Sequence, residues 1–422
     1  MTEQHTDVVV IGAGHNGLAM SRRLSERSID HVVLERGEVA NSWRSERWAS
    51  LRLLTPNWQT RLPGGGYTGN DPDGHLGAIE VAELLGGYAR QISAPVQAHT
   101  SVERVSSDGD GGYSIRTDQG SWRAASVVIA SGANSEPALP DCASAVPASV
   151  TQVTTRTYLG PESLPDGGVL VVGAAATGAQ LADELARAGR RVVLSVGEHV
   201  RLPRDYRGRD VFWWMDRSGV LDERYDQVDD IVRARHVPSP QLVGSTERRS
   251  IDLAALTALG VELVGRLGGI RDGVALFSGG LANTVRLADL KAERLLDRFD
   301  AWAAENDASV DTPVDAPHRL APTEVEHSPR LMLDLQKQGI TTVVWATGYR
   351  ARYDWLDVPV LDHKGRLQHE GGVIDSPGLY LLGASLLRRR RSTYIDGAAA
   401  DTAELSQHLA EHLEQVPRRL VA

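Results

Sequence analysis

A chain of 422 residues exceeds what one hydrophobic core supports, so two or three domains are expected. Its net charge of −10 has the wrong sign for a nucleic-acid surface, and its single cysteine, Cys142, excludes an internal disulfide and a thiol pair that relays electrons. No apolar run reaches membrane-spanning length and no secretory leader pattern precedes the first strand, so a cytoplasmic location is expected.

Taken in order, Val8 to Ile11 reads as a buried parallel strand, because four β-branched apolar residues run together without polar alternation. Gly12, Gly14 and Gly17 follow with G-x-G-x-x-G spacing, and a helical pattern follows them. The first glycine makes the tight turn, the second admits a pyrophosphate, and the third lets helix and strand pack closely. The free amides and dipole of the helix N-terminus favour phosphate. His31 to Leu34 reads as the second strand. It ends at Glu35, a carboxylate placed to accept hydrogen bonds from an adenosine ribose.

Trp43, Trp48 and Trp58 come next in a loop-like setting, and read either as a shaped wall or as ordinary packing near a domain centre. The pattern from Ile79 to Ile92 is an amphipathic helix. From Val96 to Ile129 it is an antiparallel excursion, with turn signals at Asp108–Gly112 and Gln119–Gly120. A buried strand then ends at Ser131-Gly132, and Pro137, Pro140 and Pro147 mark a domain boundary.

Gly168 to Gly178 repeats the opening: strand, glycine turn at Gly173, Thr177 and Gly178, then a helix. Ala175 replaces the central glycine. The strand Arg191–Ser195 closes this unit with a hydroxyl where the first unit has an acid. A carboxylate there repels a 2′-phosphate, whereas a hydroxyl with arginines such as Arg201 nearby accepts one.

Further on, Asp210–Asp216 reads as a short helix carrying Trp213 and Trp214, and 287–303 as a longer helix. Thr341–Tyr349 is a strand ending in a glycine corner at Thr347-Gly348. Gly378–Gly383 is a last strand before a C-terminal helix to about Leu413. His408 and His412 share a helix face without a third ligand, so no metal site is expected. Arg388–Arg391 is either a solvated loop or a cationic rim over the site.

These pieces together resemble the class B flavin-dependent monooxygenases, the flavin-containing, N-hydroxylating and Baeyer–Villiger group. The resemblance rests on Gly12-x-Gly-x-x-Gly17 with Glu35, Ser42-Trp43-Arg44, Thr55-Pro-Asn57, Ala130-Ser-Gly132, Gly173 to Gly178, Ala346-Thr-Gly-Tyr349 and Leu381-Leu-Gly383. It implies an α/β fold of two Rossmann-like dinucleotide-binding domains, one for FAD and one for NADPH, with the second inserted in the first. The segments are expected at 1–145 (FAD, first part), 165–310 (NAD(P)H) and 320–422 (FAD, second part).

By the same resemblance, Gly12, Gly14, Gly17 and Glu35 would hold the adenine half of FAD, with the backbone at Val102 near the adenine. Trp43, Arg44 and Gly383 would lie along its isoalloxazine half, near the Ser131-Gly132 corner. Gly173, Thr177, Gly178, Ser195 and Arg201 would hold NADPH, with NADH as the alternative, and Thr347-Gly348 would form the interdomain link. Asn57 matches the family's asparagine near flavin N5; an Asx-turn role after Pro56 is the other reading. The family's linker histidine is absent from Val150–Tyr158, which counts against Baeyer–Villiger chemistry.

The activity implied is oxygenation of a small molecule at nitrogen, sulfur or activated carbon, with O2 adding at C4a of the reduced flavin. The alternatives are an NAD(P)H-dependent reductase or oxidase releasing H2O2, and a non-catalytic nucleotide sensor.

Overall fold

In the computed structural model, residues 3–306 and 314–415 are described. The expected segment end at 310 and the chain ends at 1–2 and 416–422 lie outside the described residues.

The first glycine turn joins β1 (Glu3–Ile11) to α1 (His15–Glu26), which leads into β2 (His31–Leu34). Helix α2 spans Ala78–Gln91. An antiparallel meander of β3 (Val102–Ser107), β4 (Tyr113–Thr117) and β5 (Gly120–Ile129) then brings the chain back beside β1. Strand β5 is long and does two jobs. Its first half pairs with β4, and its second half, Val127 to Ile129, is sandwiched between β1 and a strand arriving from the other end of the chain.

The second sheet is wholly parallel, in the order β6 (Thr151–Thr154), β10 (Ile340–Trp345), β7 (Gly168–Val172), β8 (Val192–Ser195) and β9 (Glu262–Val264). Within it lie α3 (Ala176–Arg187), α4 (Val211–Arg217) and α5 (Leu281–Asn306). Strand β7 shows why its sequence is apolar without alternation: Val169 and Val171 enter one core, Leu170 and Val172 the core on the opposite face. The chain then returns to the first sheet through β11 (Leu379–Leu381), parallel to β5, and ends in α6 (Ala398–Gln415), packed on α1. The second dinucleotide fold is therefore inserted in the first. Its two crossing segments pair with each other, Tyr349 with Pro137 and Arg350 with Glu136.

Helix α5 begins six residues before the expected start. Leu281 and Val285, one turn apart, are buried on the face that Ala288 and Ala292 continue, so the core extends the helix up to the glycines at 279 and 280.

The arginine run is neither solvated nor a free rim. Arg388 and Arg389 bind Glu404, and Arg389 also binds Asp401, both acids on α6. Arg390 pairs with Glu223, while Arg391 reaches Asp216, Asp222 and Asp396. These bonds tie the segment after α4 in the inserted unit to the C-terminal helix of the first.

Candidate active site

Both glycine turns have the same construction. Gly12 and Gly173 take φ of +108° and +105°, and a Cβ on either would stand 2.6 or 2.3 Å from the carbonyl oxygen of Ala130 or Ala346. A Cβ on Gly17 or Gly178 would lie 1.9 or 1.8 Å from the oxygen of Gly12 or Gly173, so both are glycine because helix and turn touch there. Gly14 differs from all four. It has ordinary extended backbone, and a Cβ built on it meets nothing within 4 Å. The first helical bond of α1 runs from Leu18 N–H to the Gly14 carbonyl, so the amides of His15 to Gly17 precede the helix ladder. That space beside unpaired amides fits a pyrophosphate, and it is the reason to expect glycine at a position with no backbone need for it.

Glu35 fits the adenosine end. Its carboxylate is buried and accepts hydrogen bonds from the amides of Ala13 (2.8 Å) and Gly37 (3.0 Å), so it is fixed at the mouth of the turn. His15 also lines the site, and burial pushes it down to about 4, so it is neutral at pH 7.

A cavity of about 990 Å³ runs from this turn to the second unit. It brings together Gly12, Gly14, Glu35, Trp43, Val102, Ser131, Gly132, Thr177 and Gly383. Gly383 approaches Asn16 so closely that a Cβ would stand 2.6 Å from its amide nitrogen. Ala176, Thr177 and Gln180 bring the N-terminus of α3 to the same cavity.

Other expected residues stand elsewhere. Gly17, Gly173 and Gly178 shape the turns from behind. Ser195 is buried and donates to the Gly265 carbonyl (3.0 Å) while accepting from Leu267 N–H (2.9 Å), so its hydroxyl is used within the sheet edge. Arg201 is buried between Asp252 and Asp289, each at 2.8 Å, and also donates to the Ala321 carbonyl. Neither lines the cavity, which corrects the expectation that they face a 2′-phosphate. Arg44 bonds the carbonyls of Val39 and Ala82 away from the cavity. Asn57 is buried off the wall, donating to the Asp71 carbonyl and accepting from Leu76 N–H. Both ends of its amide hold the loop through partners 14 and 19 residues on, not through the local bond of an Asx turn. Thr347 donates to the Ala138 carbonyl and Gly348 accepts from Ala138 N–H, so this pair does link the two crossing segments.

Several lining residues carried no sequence signal because their partners are remote. Buried Glu46 binds Arg36 and Arg156, and Arg156 also holds the Ser135 carbonyl. Thr155 and Tyr349 hydroxyls meet at 2.5 Å across the crossing segments, in the stretch where the family's linker histidine is missing. Arg204, fully buried, spans the two units. It donates twice to the Leu54 carbonyl and once to Asp210, the residue that caps α4. It thereby joins the loop Leu51–Thr55 of one wall to the helix presenting Phe212 and Met215 on the other.

Comparison with known proteins places this geometry. The pyridine nucleotide-disulphide oxidoreductase family matches residues 9–209. Over 417 residues the chain is 30% identical to an uncharacterized CzcO-like oxidoreductase of Geobacillus kaustophilus, covering 97% of this chain and 100% of that one. A probable indole-3-pyruvate monooxygenase, YUCCA4 of Arabidopsis thaliana, is 28% identical over 207 residues, 48% of this chain and 50% of that protein. The structure of a flavin-containing monooxygenase from Stenotrophomonas maltophilia shares the fold, with a TM-score of 0.61 at 19% identity over 97% of this chain and 99% of that one. Among the described residues, no helix is long and apolar enough to cross a membrane.

Proposed function

The chain belongs with the CzcO-like oxidoreductases, and we propose that it is a class B flavin-dependent monooxygenase that oxygenates a small molecule at nitrogen, sulfur or activated carbon, using FAD, NADPH and O2. One observation carries the reading. The first glycine turn, the helix start of the second, and an apolar end built from both units share a single cavity. When bound, FAD supplies the redox chemistry, taking hydride from NADPH and activating O2.

The protein's part is to bind, orient and exclude water. The amides at the start of α1 and the carboxylate of Glu35 hold the dinucleotide. Ala176 and Thr177 present the second helix start to the coenzyme. Phe212, Met215, Val220 and Leu221 from the inserted unit and Leu386, Tyr394 and Ile395 from the other line one apolar end, whose part would be to keep water from the reacting atoms. Disulfide reduction, which the matched family's name suggests, lacks its dithiol, because Cys142 is the only cysteine.

The test is NADPH oxidation by the FAD-loaded protein in 18O2 against a panel of thioethers, amines and ketones, with peroxide counted. One labelled oxygen atom in product per NADPH is expected. If every NADPH consumed appears as H2O2 across the panel, the oxidase reading replaces this one.

A further inference from the structure

The arginines around the cavity are almost all neutralised. Arg36 and Arg156 share Glu46, Arg352 pairs with Glu136 and Asp354, and Arg390 pairs with Glu223. Arg52 binds Glu80 and the His75 carbonyl, and Arg47 lies over the ring of Trp43. Arg298 is different. It lines the same cavity and is exposed, yet among the described residues it has no hydrogen bond, ion pair or ring contact.

Its place is fixed by its helix. On α5, Leu296 and Phe299 enter the core, while Leu295 and Arg298, three residues apart, both reach the cavity. Leu295 packs on the cluster that contains Phe212, Met215, Val220 and Leu221, so Arg298 stands at the apolar end and not at either glycine turn. Among the described residues no acid lines that end: the carboxylates on the cavity wall are Glu35, Glu46 and Glu136, which belong to the first unit and its exit segment. An apolar chamber with one uncompensated guanidinium at its side suits a hydrocarbon body carrying one anionic group, and the planar fork of arginine matches a carboxylate best.

We propose that the oxygenated substrate is an apolar or aromatic carboxylic acid, its body against Phe212, Met215 and Leu221 and its carboxylate on Arg298. The inference rests on the monooxygenase reading for turnover but not for binding, and the test separates the two.

The probes are 4-(methylthio)benzoate and its uncharged counterpart, 4-(methylthio)benzamide. Turnover forms one S–O bond: thioether, O2, NADPH and a proton give sulfoxide, water and NADP⁺. Binding is read independently by perturbation of the flavin spectrum of the oxidised FAD-loaded enzyme. The benzoate is expected to bind about tenfold more tightly than the benzamide, and Arg298→Gln to abolish that preference while leaving the benzamide and the KM for NADPH unchanged. Arg298→Lys should restore part of it. Equal binding of the two probes, binding of neither, or a preference that survives Arg298→Gln overturns the proposal. So does an effect of Arg298→Gln on NADPH in place of the benzoate. Preferential binding with no sulfoxide formed would sink the monooxygenase reading and leave the anion site standing.

Discussion

Gly14 and Gly17 are three residues apart in the same motif, and the structure assigns them opposite reasons for being glycine. In Gly17→Ala the new methyl would lie 1.9 Å from the Gly12 oxygen, a backbone atom that cannot rotate away. Relief requires α1 to lift from β1, and overpacking of this kind costs about 1–3 kcal/mol or more. In Gly14→Ala the methyl meets nothing within 4 Å, and the backbone at φ −80°, ψ −177° is open to any residue. Two small terms there oppose each other. Reduced freedom of the unfolded chain adds about 0.4–1 kcal/mol of stability, and alanine at an N-cap removes up to about 1 kcal/mol. The apoprotein should therefore melt within a few degrees of the parent, while the methyl fills the space assigned to the pyrophosphate. The assay pairs apoprotein melting with FAD reconstitution followed by flavin absorbance. Gly14→Ala should keep its Tm and lose FAD affinity at least tenfold; Gly17→Ala should lose Tm first. A Gly14→Ala protein that binds FAD as the parent does would refute the assignment of that space.

Arg204→Met takes from the buried Asp210 its nearer cation, leaving Arg248 at 3.9 Å, and from the Leu54 carbonyl two donors, and should cost about 3–5 kcal/mol in chemical denaturation; a loss under 1 kcal/mol would mean that the guanidinium is not the clasp between the units. His75 is held down to about 4 by burial first and by Arg204 second. Because the unfolded chain takes up its proton near pH 6.5, this group contributes stability that is complete above that pH and falls by about 1.4 kcal/mol per unit between 6.5 and 4. His75→Gln should flatten that part of the stability–pH curve, and an unchanged slope counts against the assignment. Ser195→Ala should lower stability yet leave the ratio of NADPH to NADH kcat/KM unaltered, since the hydroxyl is used on Gly265 and Leu267; a shift towards NADH would return Ser195 to the coenzyme site. Ala175→Gly should tighten NADP⁺ binding measured by titration, and no change would mean that the methyl does not meet the coenzyme.

The parts legible in the sequence are those whose cause is local. Strand, turn and helix around Gly12 and Gly173 announce themselves because φ and close backbone approach restrict those few positions to glycine. The helix at 398–415 and the hairpins before Ile129 follow equally from period and turn chemistry. What failed depends on partners far along the chain. Ser195 looked available because Gly265 lies 70 residues away, and Arg201 because Asp252, Asp289 and Ala321 are 51, 88 and 120 residues away. A run of four arginines looks uniform in sequence, yet its members bind acids on three separate segments. Asn57 matched a family position, but whether its amide faces a flavin or a loop is decided by Asp71 and Leu76, which the motif does not include.

The two turns also differ in a way that suits their two ligands. In the first, the space beside Gly14 is open for at least 4 Å among the described residues, and Glu35 is preset by two backbone donors. A cofactor entering there displaces no protein contact, and pre-set donors of this kind favour a dinucleotide that stays through many turnovers. In the second, Ala175 places a methyl where Gly14 leaves open space, and the amide of Ala176 already donates to the Ser239 carbonyl at 3.2 Å. Gln241 anchors the same segment by donating to the Ala174 carbonyl at 2.7 Å. A pyrophosphate reaching the second turn must exchange the Ala176 bond for its own, a term of about 1 kcal/mol set against its affinity. A coenzyme that must arrive, give up a hydride and depart in every cycle is served by that weaker hold. On the proposed reading, the same strand–turn–helix plan serves a resident site with glycine at its centre and an exchanging site with alanine there.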